Sequence, residues 1–291
     1  MNSIQNNIIQ TGKPSWSARW VAELRAAHQL LDNPVIFNDP MALPILGPCA
    51  EAYIRNDPSQ FNDPFTQSVR AGLVVRSRLA EDKLRQSMEF GVEQYVILGA
   101  GLDTFSFRNS HQGKELRVYE VDHPSTQNWK RSILEEASID VPKSVIFVAI
   151  DFETESLEKE LQEAGFRTDQ PAYFSWLGVT VYLSTDAIFE TLKFVASLPK
   201  GSGITFDYRV QRSLLNPMEI AIGDHIEKFI TAQGEPWKTS FDPTSLQQKL
   251  QRIGFHKTED FGSDDLNARY LAKRKDGLQT RMGFRLMYAE K

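Results

Sequence analysis

The stretch Tyr95-Val-Ile-Leu-Gly99-Ala-Gly101-Leu-Asp103-Thr-Phe105 decides the fold, because it joins a strand-length apolar run to a turn with two glycines. Glycines let the backbone adopt positive φ angles and approach a ligand closely. A helix that begins after such a turn directs free amide groups towards an anionic group. The stretch therefore predicts a strand–turn–helix unit that binds a nucleotide-like cofactor. A tight turn without a ligand is the alternative.

The choice of cofactor depends on the residues around the second glycine. A dinucleotide fingerprint needs a third glycine, and here that position is Thr104. The carboxylate of Asp103 would repel a pyrophosphate but would attract an ammonium group. This pattern favours S-adenosylmethionine over NAD, although a dehydrogenase with a degenerate dinucleotide loop stays open as a rival.

Acidic residues follow on the next strands. Glu120 and Asp122 lie at i and i+2 of a strand, and hence on one face of it. Asp122 comes about twenty residues after Gly101, where an acid usually accepts the ribose hydroxyls. Asp151 and Phe152 follow the third strand, where they can accept the adenine amino group and cover its ring. Each acid could instead cap a helix or a turn.

From residue 95 onward, strand-like apolar runs alternate with helical patterns. The runs are Tyr95–Leu98, Arg117–Val121, Ser144–Ile150, Tyr173–Trp176 and Gly203–Tyr208. Helical spacing of apolar residues covers Thr154 to Gly165 and Ser184 to Leu198. Such alternation predicts an α/β protein with a parallel sheet and helices on both of its faces.

The first ninety residues read as helices and turns. Apolar residues at helical spacing predict a helix over Trp16 to Leu31 and another over about Thr66 to Phe90. Asp39 followed by Pro40 predicts a further helix start, because aspartate is a good N-cap and proline is tolerated at the first helical position.

The C-terminal part breaks the alternation. Asp242-Pro243 predicts a helix start, and Val210 to Thr239 reads as a helical cap outside the sheet. Two strand-like runs, Ala268–Arg274 and Gly283–Glu290, are predicted to pair antiparallel and to finish the sheet, with a loose hairpin at Asp276-Gly277.

Composition excludes several classes of function. The 291 residues carry a formal net charge of −5 and one cysteine, Cys49. A single cysteine cannot form an internal disulfide, and an acidic chain is a poor general binder of nucleic acid. The apolar runs are far shorter than the roughly 20 residues of a membrane span, and the first residues lack the pattern of a secretory signal. The expectation is a soluble cytoplasmic protein with a small-molecule partner, and its oligomeric state stays open.

These motifs together resemble the leucine carboxyl methyltransferase family, and more closely its bacterial branch of S-adenosylmethionine-dependent O-methyltransferases. The resemblance runs from about residue 15 to residue 210. It rests on Leu98-Gly-Ala-Gly-Leu-Asp-Thr104 with Arg108, Glu120-Val-Asp122, Asp151-Phe152, Ser17-Ala-Arg-Trp-Val-Ala22 and Asp39-Pro-Met-Ala42.

The resemblance implies a class I methyltransferase fold, which is Rossmann-like, with a seven-stranded mixed sheet that contains one antiparallel strand. It also implies that residues 1–90 form an N-terminal helical lid. Residues 91–291 would then form the S-adenosylmethionine-binding core, with the helical cap inserted at about residues 210–240.

For the cofactor, the resemblance implies that Gly99 and Gly101 lie under the methionine part. Asp122 would hold the ribose, and Asp151 with Phe152 would hold the adenine.

Arginines supply the remaining implied contacts. An arginine on the helix before the first strand binds carboxylate in the family, and Arg76 is the best match, with Arg78 and Arg70 behind it. Arg19 matches a basic residue that closes over the cofactor.

The sequence departs from the family after the fourth strand. Many relatives carry a glutamate there, and this chain has Leu177. The cofactor's amino group must then find its partner in Asp103 or in backbone carbonyls. Gly178 and Tyr182 still suit a wall close to the sulfonium. The missing acid keeps a non-catalytic cofactor-binding protein open as an alternative.

The acceptor side offers fewer signals. Asp207 and Tyr208 end the fifth strand at the ligand edge, so both are candidates for substrate contact. A carboxylate acceptor would need no base and would be oriented by Arg76, whereas a hydroxyl would need His123, Asp207 or Tyr208 as a base. No pair of histidines has metal-ligand spacing, so no metal site is predicted. A small metabolite, including a secondary metabolite, is favoured over a protein C-terminus.

Overall fold

In this computed structural model, which describes residues 15–108 and 116–291, seven strands form one mixed sheet. The strands are β1 Gln94–Leu98, β2 Arg117–Asp122, β3 Val145–Ala149, β4 Ala172–Trp176, β5 Gly203–Arg209, β6 Lys257–Phe261 and β7 Phe284–Glu290. Their order across the sheet is β3-β2-β1-β4-β5-β7-β6, and β7 runs antiparallel to both of its neighbours. The predicted seven-stranded mixed sheet with one antiparallel strand is confirmed.

Helices precede and separate the strands, and several begin at an acidic or amide N-cap that is followed by proline. They are α1 Trp16–Leu31, α2 Pro48–Asn56, α3 Pro64–Glu89, α4 Pro124–Glu136, α5 Leu157–Glu163, α6 Thr185–Ser197, α7 Pro217–Ala232, α8 Pro243–Ile253 and α9 Ser263–Leu266. Asp63 shows the capping clearly, because its carboxylate accepts the amides of Phe65 and Thr66. None of the described helices is long and apolar enough to cross a membrane.

The two faces of the sheet are covered by different helices. Val96 and Phe174 belong to a buried cluster that includes residues of α5, α6 and α8, whereas Tyr95 and Tyr173 belong to a cluster that includes Leu84 of α3. Side chains alternate between the faces of a strand, so a strand covered on both sides becomes apolar along its whole length. All five residues of β1 are accordingly buried.

The predicted strand Ala268–Arg274 is wrong. Residues Asn267–Leu271 form a π-helical turn, and Leu271 packs into a core cluster with residues of α3. The antiparallel partner of β7 is instead β6, whose sequence Lys-Thr-Glu-Asp-Phe carries three charges. An edge strand with one neighbour needs no apolar run, and charges on it discourage pairing with other chains. The predicted hairpin at Asp276-Gly277 is therefore also wrong.

The helix start predicted at Asp39-Pro40 is wrong as well. Residues 40–43 form a turn, and the next α-helix begins at Pro48. Asp39 is buried, and its carboxylate accepts the Met41 amide and the Thr104 hydroxyl. Residues 1–14 of the predicted lid lie outside the described residues.

Candidate active site

A cavity of about 240 Å³ lies at the carboxyl ends of β1 to β4. The strand order reverses between β1 and β4, and this switch point is where open α/β sheets bind ligands. The cavity floor comes from the loops that follow the four strands, namely residues 98–103, 122–123, 150–153 and 177–179. Residues of α1, α3 and α7, the loop 234–238, and Met282 with Phe284 complete the wall.

The two glycines of the loop after β1 cannot be replaced without strain. Gly99 has a φ of +65°, and a Cβ atom there would lie 2.2 Å from Cγ2 of Val179. Gly101 has a φ of +47°, and its Cβ would lie 3.1 Å from the Cβ of Ala18 on α1. Positive φ favours glycine at both positions. The loop after β1 is thus packed tightly between the loop after β4 and the N-terminal helix.

Asp122 lines the cavity at the end of β2. Its Oδ2 accepts the Gly101 amide at 2.5 Å, and its Oδ1 accepts the His123 amide at 2.7 Å. Burial raises the pKa of this carboxyl from 3.8 to about 6, against the lowering effect of the two amide hydrogen bonds and of Lys130. Each oxygen keeps a lone pair for a ligand hydroxyl.

Asp151 and Phe152 also line the cavity, at the end of β3. The Asp151 carboxylate accepts the Glu153 amide at 3.0 Å. The Phe152 ring lies 6.0 Å from the Trp176 ring at an interplanar angle of 37°. The structure therefore brings Gly99, Gly101, Asp122, Asp151 and Phe152 together on one wall.

Two buried side chains from the N-terminal part hold the loop after β1. The Arg25 guanidinium donates to the Leu102 carbonyl at 2.5 Å, and the Thr104 hydroxyl donates to Asp39 at 2.6 Å. Arg25 and Asp39 form an ion pair at 3.0 Å, and both are at least nine-tenths buried. These contacts fix α1 and the loop after β1 to each other.

Lys130 of α4 holds the same loop from the other side. Its ammonium group donates to the Asp103 carbonyl at 2.8 Å and to Glu120 at 2.6 Å. Asp103 lines the cavity, and its carboxylate accepts the Phe105 amide at 2.7 Å. Glu120 is fully buried and does not line the cavity, so its predicted role as a cofactor ligand is not supported by its position. It serves instead as the counter-charge of Lys130.

Arg76 of α3 lines the cavity and forms an ion pair with Asp207 at 2.6 Å. The other Asp207 oxygen accepts the Gly178 amide at 2.7 Å. Gly178 has a φ of +75°, and a Cβ atom there would lie 2.9 Å from the Arg76 guanidinium. Asp207 itself lies beneath the wall, so it positions Arg76 and the loop after β4 rather than facing the cavity.

Tyr208 is directed elsewhere, contrary to the prediction. Neighbouring residues of a strand point to opposite faces, so Asp207 and Tyr208 cannot both approach one ligand. Tyr208 is fully buried, does not line the cavity, and donates to Asp260 at 3.0 Å. Burial and the Asp260 charge raise its pKa, which makes it a poor base.

The structure also places Arg19 away from the cavity, where it was predicted to contact the cofactor. Its side chain is 54% exposed and pairs with Glu23 on the outer face of α1, away from the cavity wall. The arginine of α1 that lines the cavity is Arg25, which sequence reasoning missed. Neither Arg19 nor Arg25 lies on the apolar stripe of the helix, so the sequence pattern did not distinguish them.

The two arginines ranked behind Arg76 are absent from the cavity wall. Arg70 is buried and bonds both oxygens of Asp32 at 2.8 Å. Arg78 pairs with Asp82 one turn further along α3. Arg76 is therefore the α3 arginine available to a ligand.

Tyr182 lines the cavity on the turn that follows β4. Burial, together with the negative charge of Glu235, raises its pKa to about 12. Glu235 comes from the loop after α7, and its carboxylate accepts the amides of Trp16 and Ser17 at 2.7 and 3.1 Å. Glu235 thus caps α1 from across the cavity, and no motif in the sequence marked it.

His123 lines the cavity next to Asp122 and caps α4. Its Nδ1 lies 2.8 Å from the Ser125 hydroxyl, and burial lowers its pKa. Leu177 lines the wall and packs against a core cluster that includes residues of α3. Within residues 15–108 and 116–291, no group of three or more metal-binding side chains occurs.

One end of the cavity is apolar. Its residues come mainly from α1, α3 and α7, and most of their side chains pack together in one cluster. The side chains there are Trp20, Val69, Leu73, Ile226, Ile230, Trp237, Met282 and Phe284.

Comparisons with known proteins agree with this arrangement. A family model described as leucine carboxyl methyltransferase matches residues 18–196. The Bacillus subtilis protein YktD, which its name assigns to the S-adenosyl-L-methionine-dependent methyltransferases, is 31% identical over 279 residues, covering 87% of this chain and 90% of that protein. A Mycobacterium avium protein with the same assignment is 29% identical, covering 91% of this chain and 90% of its own length.

Solved structures share the fold. One from Thermobifida fusca, whose title assigns it as a methyltransferase, covers 99% of both chains with a TM-score of 0.55 at 17% identity. A DUF574 family protein from Streptomyces avermitilis covers 97% of this chain and 99% of its own, with a TM-score of 0.54 at 14% identity.

Proposed function

The chain belongs to the leucine carboxyl methyltransferase family, and on that premise we propose that it transfers a methyl group from S-adenosylmethionine to an oxygen atom of a small metabolite. It is a methyltransferase with the class I fold. The oxygen acceptor, the small-molecule substrate and the roles of individual residues are the parts that we propose.

The cavity wall fits S-adenosylmethionine. Gly99 and Gly101 hold the loop after β1 in a positive-φ conformation that a side chain would strain. The loop lines the cavity, so its backbone would lie against the methionine part of the cofactor. Asp122 would hold the two ribose hydroxyls with its free lone pairs, and Asp151 with Phe152 would hold the adenine. This acid and ring arrangement suits an adenosine that carries a positive charge better than it suits a pyrophosphate.

The amino-acid part would lie between Asp103 and Arg76. Arg76 donates to Asp207 through Nη1 only and lines the cavity, so its other nitrogen groups can hold a carboxylate. Asp103 or the loop carbonyls would hold the ammonium group in place of the acid that Leu177 replaces.

When bound, S-adenosylmethionine supplies a methyl carbon whose bond to the positively charged sulfur breaks as the acceptor oxygen forms the new C–O bond. The chain's own residues then have to align the acceptor and exclude water. Alignment of two reactants can contribute roughly 7–11 kcal/mol to a barrier. Tyr182 and Gly178 line the cavity, and Tyr182 packs against the apolar cluster, so we assign the wall at the transfer point to them.

The observation that carries the proposal is a single cavity whose wall combines the acids and glycines at the carboxyl ends of β1 to β3 with apolar side chains from α1, α3 and α7. The apolar end is covered by α1, α3 and α7, which supports a small acceptor over the flexible C-terminus of another protein. We propose that the helices before residue 90 act as a lid and that α7, in the segment at about residues 210–240, acts as a cap.

The test is transfer of a labelled methyl group from S-adenosylmethionine to a cell extract, with the small-molecule and protein fractions separated afterwards. We expect label in the small-molecule fraction. Label confined to protein would refute a metabolite acceptor and support the protein C-terminus instead.

Binding assays separate the remaining rivals. Thermal shift should show stabilisation by S-adenosylhomocysteine and none by NAD. Stabilisation by NAD alone would identify a dehydrogenase. Binding of S-adenosylhomocysteine without transfer to any extract would identify a non-catalytic binding protein.

A further inference from the structure

The cationic side chains on the cavity wall are already paired. Three arginines or lysines of the described residues line the cavity. Their partners are Asp39 for Arg25 at 3.0 Å, Asp207 for Arg76 at 2.6 Å and Glu153 for Lys238 at 3.3 Å. The free edge of Arg76 is assigned above to the cofactor's carboxylate. An anionic acceptor would therefore find no unpaired cation on this wall.

The acidic side chains on the same wall outnumber the cationic ones. The acids are Asp103, Asp122, Asp151, Glu153 and Glu235. Burial of negative charge without a matching positive charge is unfavourable. The sulfonium would offset part of this excess, but an acceptor carboxylate would add to it. The charge of the wall thus disfavours a carboxylate acceptor.

The side chains of the apolar end also favour an acceptor of a particular shape. Trp20, Trp237 and Phe284 present aromatic rings, and Leu73 and Ile230 present aliphatic surface. Pockets of this composition bury flat apolar ligands and orient them with few polar contacts. Tyr182 offers a polar contact beside this end, and it stays a neutral phenol because its pKa is raised to about 12.

A hydroxyl acceptor also needs a group to receive its proton, which a carboxylate acceptor does not. Glu235 lines the cavity close enough to Tyr182 for its charge to raise the pKa of the phenol. Its carboxylate oxygens each accept one amide and keep a further lone pair. A carboxylate near the apolar end matches the needs of a hydroxyl acceptor.

Resting on the proposed function, we propose that the acceptor is an uncharged aromatic molecule that presents a hydroxyl group, so that the product is a methyl ether. The hydroxyl oxygen forms the bond to the methyl carbon, the electron pair of the broken C–S bond stays on sulfur, and the hydroxyl proton passes to Glu235 and then to water. Leu73, Ile230 and Trp237 would determine the shape of the acceptor.

The experiment compares two probes with the same rings and different charge. Calorimetry would measure the binding of 2-naphthol and 2-naphthoate to the chain saturated with S-adenosylhomocysteine. We expect 2-naphthol to bind at least tenfold more tightly. Equal or tighter binding of 2-naphthoate, or no binding of either probe, would overturn the inference. Failure to bind S-adenosylhomocysteine would count against the proposed function instead.

Variants locate the binding site of the probe. Ile230→Trp should weaken 2-naphthol binding at least tenfold, because the larger ring fills the apolar end. Met218→Trp is the matched control on the same helix, since Met218 is 53% exposed and should leave binding unchanged. Binding of S-adenosylhomocysteine reports that each variant is folded. If Ile230→Trp fails this check, Leu73→Phe places a smaller obstruction on the opposite wall, and unweakened binding there overturns the inference.

The chemistry of the product gives an independent readout. Labelled small-molecule product from the extract is treated with mild alkali, which releases methanol from an ester and leaves an ether intact. Resistance supports a hydroxyl acceptor. Release of labelled methanol overturns this inference while it leaves the proposed methyl transfer standing.

Discussion

Replacing Asp122 by asparagine should stabilise the ligand-free protein more at neutral pH than at acidic pH. Burial raises the pKa of this carboxyl from 3.8 to about 6 in the folded state. A carboxyl whose folded pKa is raised stabilises the folded state at low pH, and this contribution is lost as the pH rises from the unfolded to the folded pKa. Asparagine does not titrate, so the variant escapes that loss.

The size of the effect follows from the two pKa values. At about pH 7.5 the ionised side chain costs the folded state about 3 kcal/mol, at roughly 1.4 kcal/mol for each unit of pKa difference. At about pH 4.5 the cost is about 1 kcal/mol, because the folded carboxyl is then protonated and the pH lies less than one unit above the unfolded pKa. The stability of Asp122→Asn relative to the wild type should therefore improve by about 2 kcal/mol between these two pH values.

Urea unfolding of both proteins at the two pH values measures this change. A comparison across pH cancels any constant effect of the substitution, such as the His123 amide losing its carboxylate acceptor. A relative stability that is the same at both pH values would refute the assigned burial of the charge. Both proteins are also unfolded in S-adenosylhomocysteine at a hundredfold excess over the wild-type Kd. This concentration should stabilise the wild type by about 2.7 kcal/mol. Equal stabilisation of the variant would remove Asp122 from the ribose site.

Other substitutions test the rest of the site. Arg25→Met should weaken S-adenosylhomocysteine binding about tenfold, or about 1.4 kcal/mol, because the loop after β1 loses the hydrogen bond from Arg25 to the Leu102 carbonyl. Arg19→Met, on the exposed face of the same helix, should leave the affinity measured by calorimetry unchanged. Gly99→Ala should lower both thermal stability and affinity, because the new Cβ would lie 2.2 Å from Val179 at a φ of +65°; retention of both would refute the close packing. Asp32→Asn should show the opposite pH trend to Asp122→Asn, because hydrogen bonds from Arg70 and His28 outweigh burial and lower the Asp32 pKa to about 2. Its destabilisation should shrink as the pH falls towards about 2 in urea unfolding, and a constant value would contradict the pairing.

The sequence predicted the residues whose placement depends on strand ends. Gly99, Gly101, Asp122 and Asp151 each lie at or just after the carboxyl end of a strand, so the topology of a parallel sheet brings them to one edge. These positions needed only the strand pattern and the glycine spacing. The seven-stranded mixed sheet with one antiparallel strand followed from the family resemblance. The charged edge strand β6 was not predicted, because its sequence has no apolar run.

Residues placed by packing between distant elements were harder to predict. A basic residue on α1 was expected, but which of Arg19 and Arg25 faces the loop depends on how the helix is rotated against the sheet. Asp207 and Tyr208 were both predicted to contact the substrate, although alternation along β5 directs their side chains to opposite faces of the sheet. Neither side chain lines the cavity. Glu235 had no local signal, because its role as the cap of α1 depends on a contact across 218 residues.

The division of the cavity also explains why the family identifies the reaction better than the acceptor. The family model ends at residue 196, and the residues that we propose to bind the adenosine, from Gly99 to Phe152, lie wholly within the matched residues. Ile226, Ile230 and Trp237 on the apolar wall lie beyond it. We therefore expect members of the family to share the methyl donor site while the segment after residue 196 changes the acceptor. α1 bonds the loop after β1 through Arg25, and Glu235 from the later segment caps α1. We therefore expect α1 to keep the proposed acceptor site and the loop after β1 in a fixed relative position when the later segment changes.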